Sequence, residues 1–149
     1  MSFCPGENRK GMPSDIVSSL ASRAEADLRE NILPYWMRTA PDPSGVGFVG
    51  EVCYGEEVNL QAPRGSLLTS RILWTWSAAH LRWPEGGYLE MARLAYDDLV
   101  NRFHDRSNGG YFWSIHPDGR PLDAKKYVYG QAFAIYALSE YHRASGVSD

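Results

Sequence analysis

The spacing of hydrophobic positions predicts four helices of two kinds. In the first kind, apolar residues form a single stripe and polar residues occupy the opposite side. The first helix of this kind begins at Ser14 or Asp15 after Pro13, and Pro34 should end or bend it. The third helix of the chain, from about Tyr88 to Phe103, has the same pattern. Both are predicted to lie on the outside of the molecule.

The second and fourth helices, at about 66–82 and 126–144, are apolar almost all round in their middles. These middles read RILWTWSAA and GQAFAIYAL. A helix without a polar face is typical of one that has neighbours on every side. The predicted order is therefore amphipathic, buried, amphipathic, buried.

Two copies of one unit account for this order. GVGFVGEV at 45–52 matches NGGYFWSI at 108–115 at an offset of 63, and each predicts a short β-hairpin, with its turn at Gly55 or at Asp118-Gly119. At an offset of 62, four residues of the first copy match four of the second: Arg64, Trp74, Ser77 and His80 match Lys126, Tyr136, Ser139 and His142. Repeats of this kind form arrays in which each unit needs its neighbours to bury its apolar face.

Two units leave the buried helices uncovered on one side, and monomeric soluble proteins rarely tolerate such a patch. We expect the chain to associate with itself, to pair with a complementing carboxyl-terminal piece, or to belong to something longer. The open face should carry some of the aromatic residues of the two helices, namely Trp74, Trp76, Phe133 or Tyr136.

Composition narrows the possible functions only slightly. The 149 residues suit one domain at 14–149 preceded by a flexible leader at 1–13. The net charge of −3, without a basic cluster, argues against nucleic-acid and membrane-surface partners. Cys4 and Cys53 do not suggest a disulfide framework, and the leader lacks the apolar core of a signal peptide, so a cytoplasmic location is expected. Five Trp, nine Tyr and five Phe suit a carbohydrate site, although a core can use them equally well.

Several segments together resemble the amino-terminal part of the cellobiose 2-epimerases, a group within the N-acylglucosamine 2-epimerase superfamily. The segments are ENILPYWMR, SRILWTWSAAH, YLEMARLAYDDL and KKYVYGQAFAIYALSEY, and the resemblance runs from about Asp15 to Gly146. It implies an all-α fold, an (α/α)6 barrel of six helical hairpins with short β-hairpins in the loops. This chain would supply about two of the six.

The resemblance also implies a reaction and two site residues. The reaction epimerises C2 of the reducing-end glucose of a β-1,4-linked disaccharide to mannose through an enediolate, without a metal or organic cofactor. Arg71 matches the arginine that stabilises the enediolate oxygens, and Tyr129 matches a tyrosine that hydrogen-bonds the sugar.

Structural roles for these residues remain open. Arg71 sits in an apolar run with no obvious wet face, so it could instead pair with a carboxylate or extend to a rim. Tyr129 could be a core tyrosine. Gln131 and Trp74 lie nearby on the inner helices and are interpreted as packing residues, and Lys125-Lys126 as the solvated start of the fourth helix.

The four histidines do not match the acid/base histidines of the family. His80 and His142 end the two inner helices, where they suit the helix dipole. His104 ends the third helix, and His116 lies in a turn. We therefore expect the catalytic histidines beyond residue 149 and the chain alone to be inactive. Neither the histidines nor Cys53 show the close spacing of metal ligands, so no metal site is expected.

The leading hypothesis is an amino-terminal portion of a cellobiose 2-epimerase-like isomerase that acts on an oligosaccharide. An N-acylglucosamine 2-epimerase or mannose isomerase is the alternative among enzymes. In a different class, the chain could be a non-catalytic helical-repeat module that binds sugar or dimerises.

Overall fold

The computed structural model describes residues 14–146 of the chain. The chain forms two compact units that divide between Trp36 and Met37. The predicted flexible leader at 1–13 and Cys4 lie outside the described residues, so the leader remains a prediction.

The unit that precedes Met37 contains a helix that continues through its proline. Helix α1 spans Ser14–Asp27, a π-helical segment spans Leu28–Ile32, and α2 spans Leu33–Thr39 across the division between the units. Of the two predicted effects of Pro34, to end or to bend the helix, the first is wrong, because α2 continues from Leu33 to Thr39. Just before the proline, the Leu33 N–H donates to the Leu28 carbonyl, five residues back, in a π turn. This wider turn moves the preceding carbonyls away from the positions in which an interior proline ring would clash with them.

The three helices of the second unit agree closely with the prediction. Helix α3 spans Ser66–Arg82, α4 spans Tyr88–Asp98 with a π-helical end at Leu99–Phe103, and α5 spans Val128–Ser145. A short 3-10 turn at Pro84–Gly86 joins α3 to α4. Helices α3 and α5 pack along each other, and α4 packs on α3, so the predicted inner pair is confirmed.

Both predicted β-hairpins are present, and a further pairing joins the two repeats. In the first hairpin, β1 (Glu51–Val52) is antiparallel to β2 (Val58–Asn59). In the second, β4 (Ser114–Ile115) is antiparallel to β5 (Pro121–Asp123). The sequence did not predict β3 (Arg64–Gly65), which pairs with β4 and so ties the start of α3 to the second hairpin.

The loop after each outer helix has the same backbone hydrogen bonds in both repeats. The N–H of Asp42 donates to the carbonyl of Gly47 at 3.0 Å, and that of Asp105 donates to Gly110 at 2.8 Å. Each aspartate Oδ1 also accepts the N–H of the serine two residues later. These matching bonds confirm the internal repeat at the level of single atoms.

Each of these aspartates also forms an ion pair with the cation that precedes the next inner helix. Arg64 pairs with Asp42, and the Nζ of Lys126 lies 2.7 Å from Oδ2 of Asp105. The interpretation of Lys126 as a solvated residue is therefore wrong, because its side chain is only 28% exposed and is held by this contact. The spacing of Asp42–Arg64 and Asp105–Lys126 in the repeats was the signal that could have revealed it.

The core of the second unit lies where α3, α4 and α5 meet the second hairpin. Its fully buried apolar members are Leu73, Ala92, Ala95, Leu99, Phe103, Ile115, Ala134 and Ala137. Trp76 belongs to this core, at 3% exposure, and stacks on Tyr88 of α4 with 5.7 Å between ring centroids. The expectation that Trp76 could contribute to an open face is wrong, since its position on α3 faces the outer helix.

Neither inner helix is covered all round within this chain. Helix α3 exposes Leu68, Arg71 and Thr75, while α5 exposes Val128, Tyr129, Ile135 and Tyr136. Both inner helices therefore have an uncovered apolar side. The sequence predicted this, because two repeats alone cannot enclose the inner helices.

We predict that Gly47→Ala destabilises the fold more than Gly45→Ala. Both glycines have positive φ, +68° and +79°, so either alanine costs about 1–2 kcal/mol of backbone strain. A Cβ at Gly47 would also overlap the buried Asp98 carboxylate, whereas nothing lies within 4 Å of one at Gly45. Overpacking of this kind adds about 1–3 kcal/mol. Urea unfolding of both variants at one protein concentration measures the difference, and equal losses would contradict the contact with Asp98.

We further predict that Asp105 contributes to the loss of stability in acid. The hydrogen bond from Lys126, with those from Asn108 and Ser107, holds the pKa of Asp105 well below its usual value. The folded state therefore favours the carboxylate, and its stabilisation is present above the unfolded-state pKa of about 3.9 and is lost as the pH falls below that value. Asp105→Asn should lower stability at pH 7 and flatten the decline between pH 5 and 2. Thermal unfolding across this range tests it, with the exposed Asp97→Asn as control; an unchanged acid dependence in Asp105→Asn would contradict the prediction.

Candidate active site on the inner helices

Arg71 lies in the middle of α3 and its side chain is exposed. The expectation of an arginine without a wet face is wrong for this chain, because Arg71 lies on the side of α3 that no described residue covers. Within residues 14–146, its guanidinium has no hydrogen-bond or ion-pair partner; its backbone carbonyl accepts the Thr75 hydroxyl at 2.8 Å in addition to the bonds of the helix. The structural ion pair considered from the sequence is therefore absent from the described part of the chain.

Tyr129 lies in the first turn of α5 and is 59% exposed. It is not a core tyrosine in this chain. Its ring contacts Phe133 edge-to-face, with 4.9 Å between centroids. The phenol is thus supported on one side by the next helical turn and open on the other.

A row of four aromatic rings connects Tyr129 to the helix that carries Arg71. Phe133 contacts Tyr136 edge-to-face at 6.2 Å, and Tyr136 stacks on Trp74 of α3 at 5.3 Å with an interplanar angle of 13°. Trp74 follows Arg71 by about one helical turn. The two predicted site residues therefore lie on adjacent helices at the two ends of one aromatic row.

This arrangement has the chemistry of a carbohydrate surface that can also bind an oxyanion. Flat rings pack on the apolar faces of sugars while the phenol of Tyr129 can exchange hydrogen bonds with hydroxyl groups. A guanidinium offers a rigid fork of donors and a permanent charge to a developing oxyanion. Trp74 has the packing role predicted for it, in its stack on Tyr136.

Gln131 has a more specific role than the packing predicted from the sequence. Its Oε1 accepts the N–H of Tyr111 at 2.9 Å, and its Nε2 donates to the Tyr111 carbonyl at 2.8 Å. The side-chain amide of Gln131 thus pairs with both backbone groups of Tyr111, as a neighbouring β-strand would. These bonds anchor the first turn of α5, and with it Tyr129, to the loop after the outer helix.

The histidines lie away from the exposed guanidinium and phenol. At about 1.5 Å of rise per residue, His80 lies about 14 Å along α3 from Arg71, and His142 about 20 Å along α5 from Tyr129. The ring of His104 packs near Tyr111, with centroids 5.5 Å apart, and the His116 N–H donates to Arg120 in the hairpin turn at 2.8 Å. The helix-end positions of His80 and His142 are as predicted.

A half-open pocket of about 630 Å³ lies elsewhere, beside α4 and α5. Its lining includes Tyr96, Val100, Tyr111, Leu138 and Tyr141 but neither Arg71 nor Tyr129. Burial raises the pKa of Tyr111 and of Tyr141, so both phenols stay protonated at neutral pH. His142 and Arg143 also line the pocket, but neither predicted site residue does, and we therefore place the candidate site on the exposed faces of α3 and α5.

Two further findings concern metals and membranes. Across residues 14–146, no cluster of three or more His, Cys, Asp or Glu side chains could hold a metal ion. In the same part of the chain, no helix combines the length and apolarity needed to cross a membrane.

Comparison with known proteins places these features in a family. The sequence profile of N-acylglucosamine 2-epimerase matches residues 47–148. The chain is 43% identical over 127 residues to the cellobiose 2-epimerase of Bacteroides fragilis, and 39% identical over 127 residues to that of Ruminococcus albus. Each alignment covers 85% of this chain but 32% of the relative, so the chain spans about a third of the length of the curated relatives it matches.

Solved structures agree with the sequence comparison. The structure of cellobiose 2-epimerase from Spirochaeta thermophila superposes with a TM-score of 0.84 at 42% identity, covering 90% of this chain and 33% of that one. A D-mannose isomerase superposes with a TM-score of 0.71 at 25% identity, covering 89% of this chain and 32% of that one.

The fold and the inner-helix surface define a helical-repeat portion of an (α/α)6 barrel, the fold of these structural neighbours. The chain belongs to the N-acylglucosamine 2-epimerase family. Its two repeats correspond to about two of the six in the barrel, as predicted.

Proposed function

We propose that this chain forms the first third of a cellobiose 2-epimerase-like enzyme. The complete enzyme converts the reducing-end glucose of a β-1,4-linked disaccharide to mannose and requires neither metal nor organic cofactor. The observation that carries the proposal is the 43% identity to a cellobiose 2-epimerase over 127 residues, which is 85% of this chain. A D-mannose isomerase is also similar, but at 25% identity, and so gives the monosaccharide alternative less support.

In this proposal Arg71 stabilises the enediolate. Removing the C2 proton, α to the aldehyde, gives an enediolate with negative charge on its oxygen atoms. That charge needs a preorganised hydrogen-bond donor or cation. The guanidinium of Arg71 is exposed and has no partner in residues 14–146, so it is available for such an oxyanion. Its fixed charge suits the role, because it does not itself enter the proton transfers.

Tyr129 binds the sugar beside the reacting carbons. Its phenol is open to solvent and its ring is the end of the aromatic row that leads to Trp74. A sugar whose apolar face packs on this row would place its hydroxyl groups within reach of the phenol. The bonds of Gln131 to Tyr111 keep this end of α5 in place.

The acid and base come from residues outside this chain. Epimerisation requires a group that removes the C2 proton and a group that returns one from the opposite face, each within hydrogen-bonding reach. His80 and His142 lie too far along their helices to reach a sugar held between Arg71 and Tyr129.

The cytoplasmic location expected from the sequence remains a prediction.

We predict that the purified 149-residue chain does not epimerise cellobiose. Positioned acid/base groups each contribute about 10²- to 10⁴-fold to the rate, and in this proposal both are missing. Chromatography of the reaction products for glucosyl-mannose tests it, with the cellobiose 2-epimerase of Bacteroides fragilis assayed alongside as the positive control. Product formation by the chain alone would show that it contains its own acid and base.

We also predict that Arg71→Ala, in a full-length enzyme that contains this chain, lowers kcat far more than it weakens substrate binding. The charge that Arg71 stabilises appears only as the enediolate forms, so its loss should cost about 10²- to 10³-fold in kcat. Arg71→Lys should restore only part of the rate, because a single ammonium cannot reproduce the planar fork of donors.

Steady-state kinetics and thermal unfolding on the same preparations separate this role from a structural one. If Arg71 instead pairs with a carboxylate of another repeat, Arg71→Ala lowers the melting temperature and leaves kcat nearly normal. A folded Arg71→Ala enzyme with most of its kcat would overturn the catalytic assignment.

A further inference from the structure

The backbone of Trp113 lies between the start of α3 and the start of α5. Its carbonyl accepts both the N–H and the hydroxyl of Ser66, the first residue of α3, at 3.0 and 3.2 Å. Its N–H donates to the carbonyls of Asp123 and Lys125, at 3.0 and 3.1 Å, in the segment that leads into α5. One residue at the start of the second hairpin is thus bonded to the entry of both inner helices.

The side chain of Trp113 packs on the first turn of α5. Its ring contacts the ring of Tyr127, the residue that precedes α5, edge-to-face with 4.9 Å between centroids. A Cβ on Gly130 would lie 3.3 Å from Cε3 of the indole, closer than ordinary van der Waals contact. Glycine therefore lets the indole approach the backbone of α5. The residues that the indole contacts lie on either side of Tyr129 in the sequence.

The large ring and the facing glycine are features of the second repeat. At the offsets of 63 and 62, Gly50 and Leu68 occupy the positions of Trp113 and Gly130 in the first repeat. The repeat can therefore form its hairpin and its inner helix without this pair. The pair occurs in the repeat whose inner helix carries Tyr129, which suggests a purpose beyond the fold of the repeat.

We propose that Trp113 is a positioning residue that fixes the separation between Arg71 on α3 and Tyr129 on α5. This inference rests on the proposed function, in which these two side chains hold the same sugar. Arg71 follows Ser66 by about one and a half helical turns, and Tyr129 is the second residue of α5. Each is thus carried by the end of its helix that Trp113 holds. A shift of this residue moves one proposed site residue relative to the other.

The separation matters because the two site residues act at different stages of the reaction. Tyr129 hydrogen-bonds the sugar in the ground state, whereas Arg71 stabilises charge that appears only as the enediolate forms. A misplacement of about 1 Å can cost about 100-fold in rate. Loss of the indole should therefore lower kcat, while the sugar still binds to Tyr129 and the aromatic row and KM stays close to its original value.

Kinetics of Trp113 variants in a full-length enzyme that contains this chain test the inference. We expect Trp113→Ala to lower kcat about 10- to 100-fold with little change in KM. Trp113→Phe keeps a six-membered ring on the side of Gly130 and should restore most of the rate. Gly130→Ala should also lower kcat, because its Cβ displaces the indole, although alanine favours a helix more than glycine does. A loss of rate without a loss of stability in Gly130→Ala is not expected of a merely structural contact.

Tyr88→Ala is the matched control for stability. It removes another ring contact of the inner helices, the stack of Tyr88 on Trp76, from the side of α3 that faces the outer helix. This variant should lower the melting temperature and leave kcat near that of the parent enzyme when both are assayed well below their melting temperatures. An equal fall in kcat for Tyr88→Ala and Trp113→Ala would overturn the inference, because any loss of packing would then have the same effect.

A double-mutant cycle with Arg71→Ala tests whether Trp113 acts through Arg71. If it does, Trp113→Ala should cost little further kcat in the Arg71→Ala enzyme, whereas independent effects multiply. Multiplying effects would overturn the inference, as would parental kcat in folded Trp113→Ala or Gly130→Ala enzymes, and Gly130→Ala alone decides if Trp113→Ala does not fold. A parent enzyme inactive on cellobiose, or Arg71→Ala with parental kcat, would instead refute the proposed function and this inference with it.

Discussion

The ion pair between a loop aspartate and the cation before the next inner helix determines how each repeat is assembled. Asp42 with Arg64, and Asp105 with Lys126, join the end of an outer helix to the start of an inner one across a complete β-hairpin. Each aspartate also organises its own loop through backbone bonds, so one side chain fixes both the turn and the distance to the helix. In the second repeat, Gln131 adds two bonds to the same loop. The direction in which α5 leaves this loop, and hence the position of Tyr129, depends on these few polar contacts.

How much of this the sequence could predict depends on the range of the interactions. The periodicity of apolar residues predicts the bounds of α3, α4 and α5 to within about two residues, α4 being counted with its π-helical end. It does so because the side of a helix that packs is apolar in the helix's own sequence. The helix does not end at Pro34 because a π turn, which has no clear sequence signal, removes the constraint that proline usually imposes. The sequence around Lys126 does not reveal its ion pair, because the partner, Asp105, is distant in sequence and becomes recognisable only when the two repeats are aligned.

The candidate site was harder to predict than the fold for the same reason. The apolar neighbours of Arg71 in the sequence distinguish it from the other arginines and predict a buried charge. In the structure Leu73 and Trp76 are buried on other sides of α3, while Arg71 lies on the side left open. An apolar sequence around a charged residue predicts that its helix is enclosed by other elements. It does not predict which elements enclose each side, because that depends on segments elsewhere in the sequence. The aromatic row from Tyr129 to Trp74 likewise requires both helices side by side.

The exposed position of Arg71 on α3 connects closure of the barrel to the proposed chemistry. A guanidinium stabilises a developing oxyanion strongly only when it is held in place and screened from water before the charge appears. Within this chain Arg71 lies on an exposed face without a partner, where solvent competes for its donors and its long side chain is free to change rotamer. Under the proposed function, whatever surface covers the exposed side of α3 must therefore also orient Arg71. Closure of the barrel and preorganisation of the proposed oxyanion site are then one event, and a change in the surface that covers Arg71 should alter catalysis without touching the sugar.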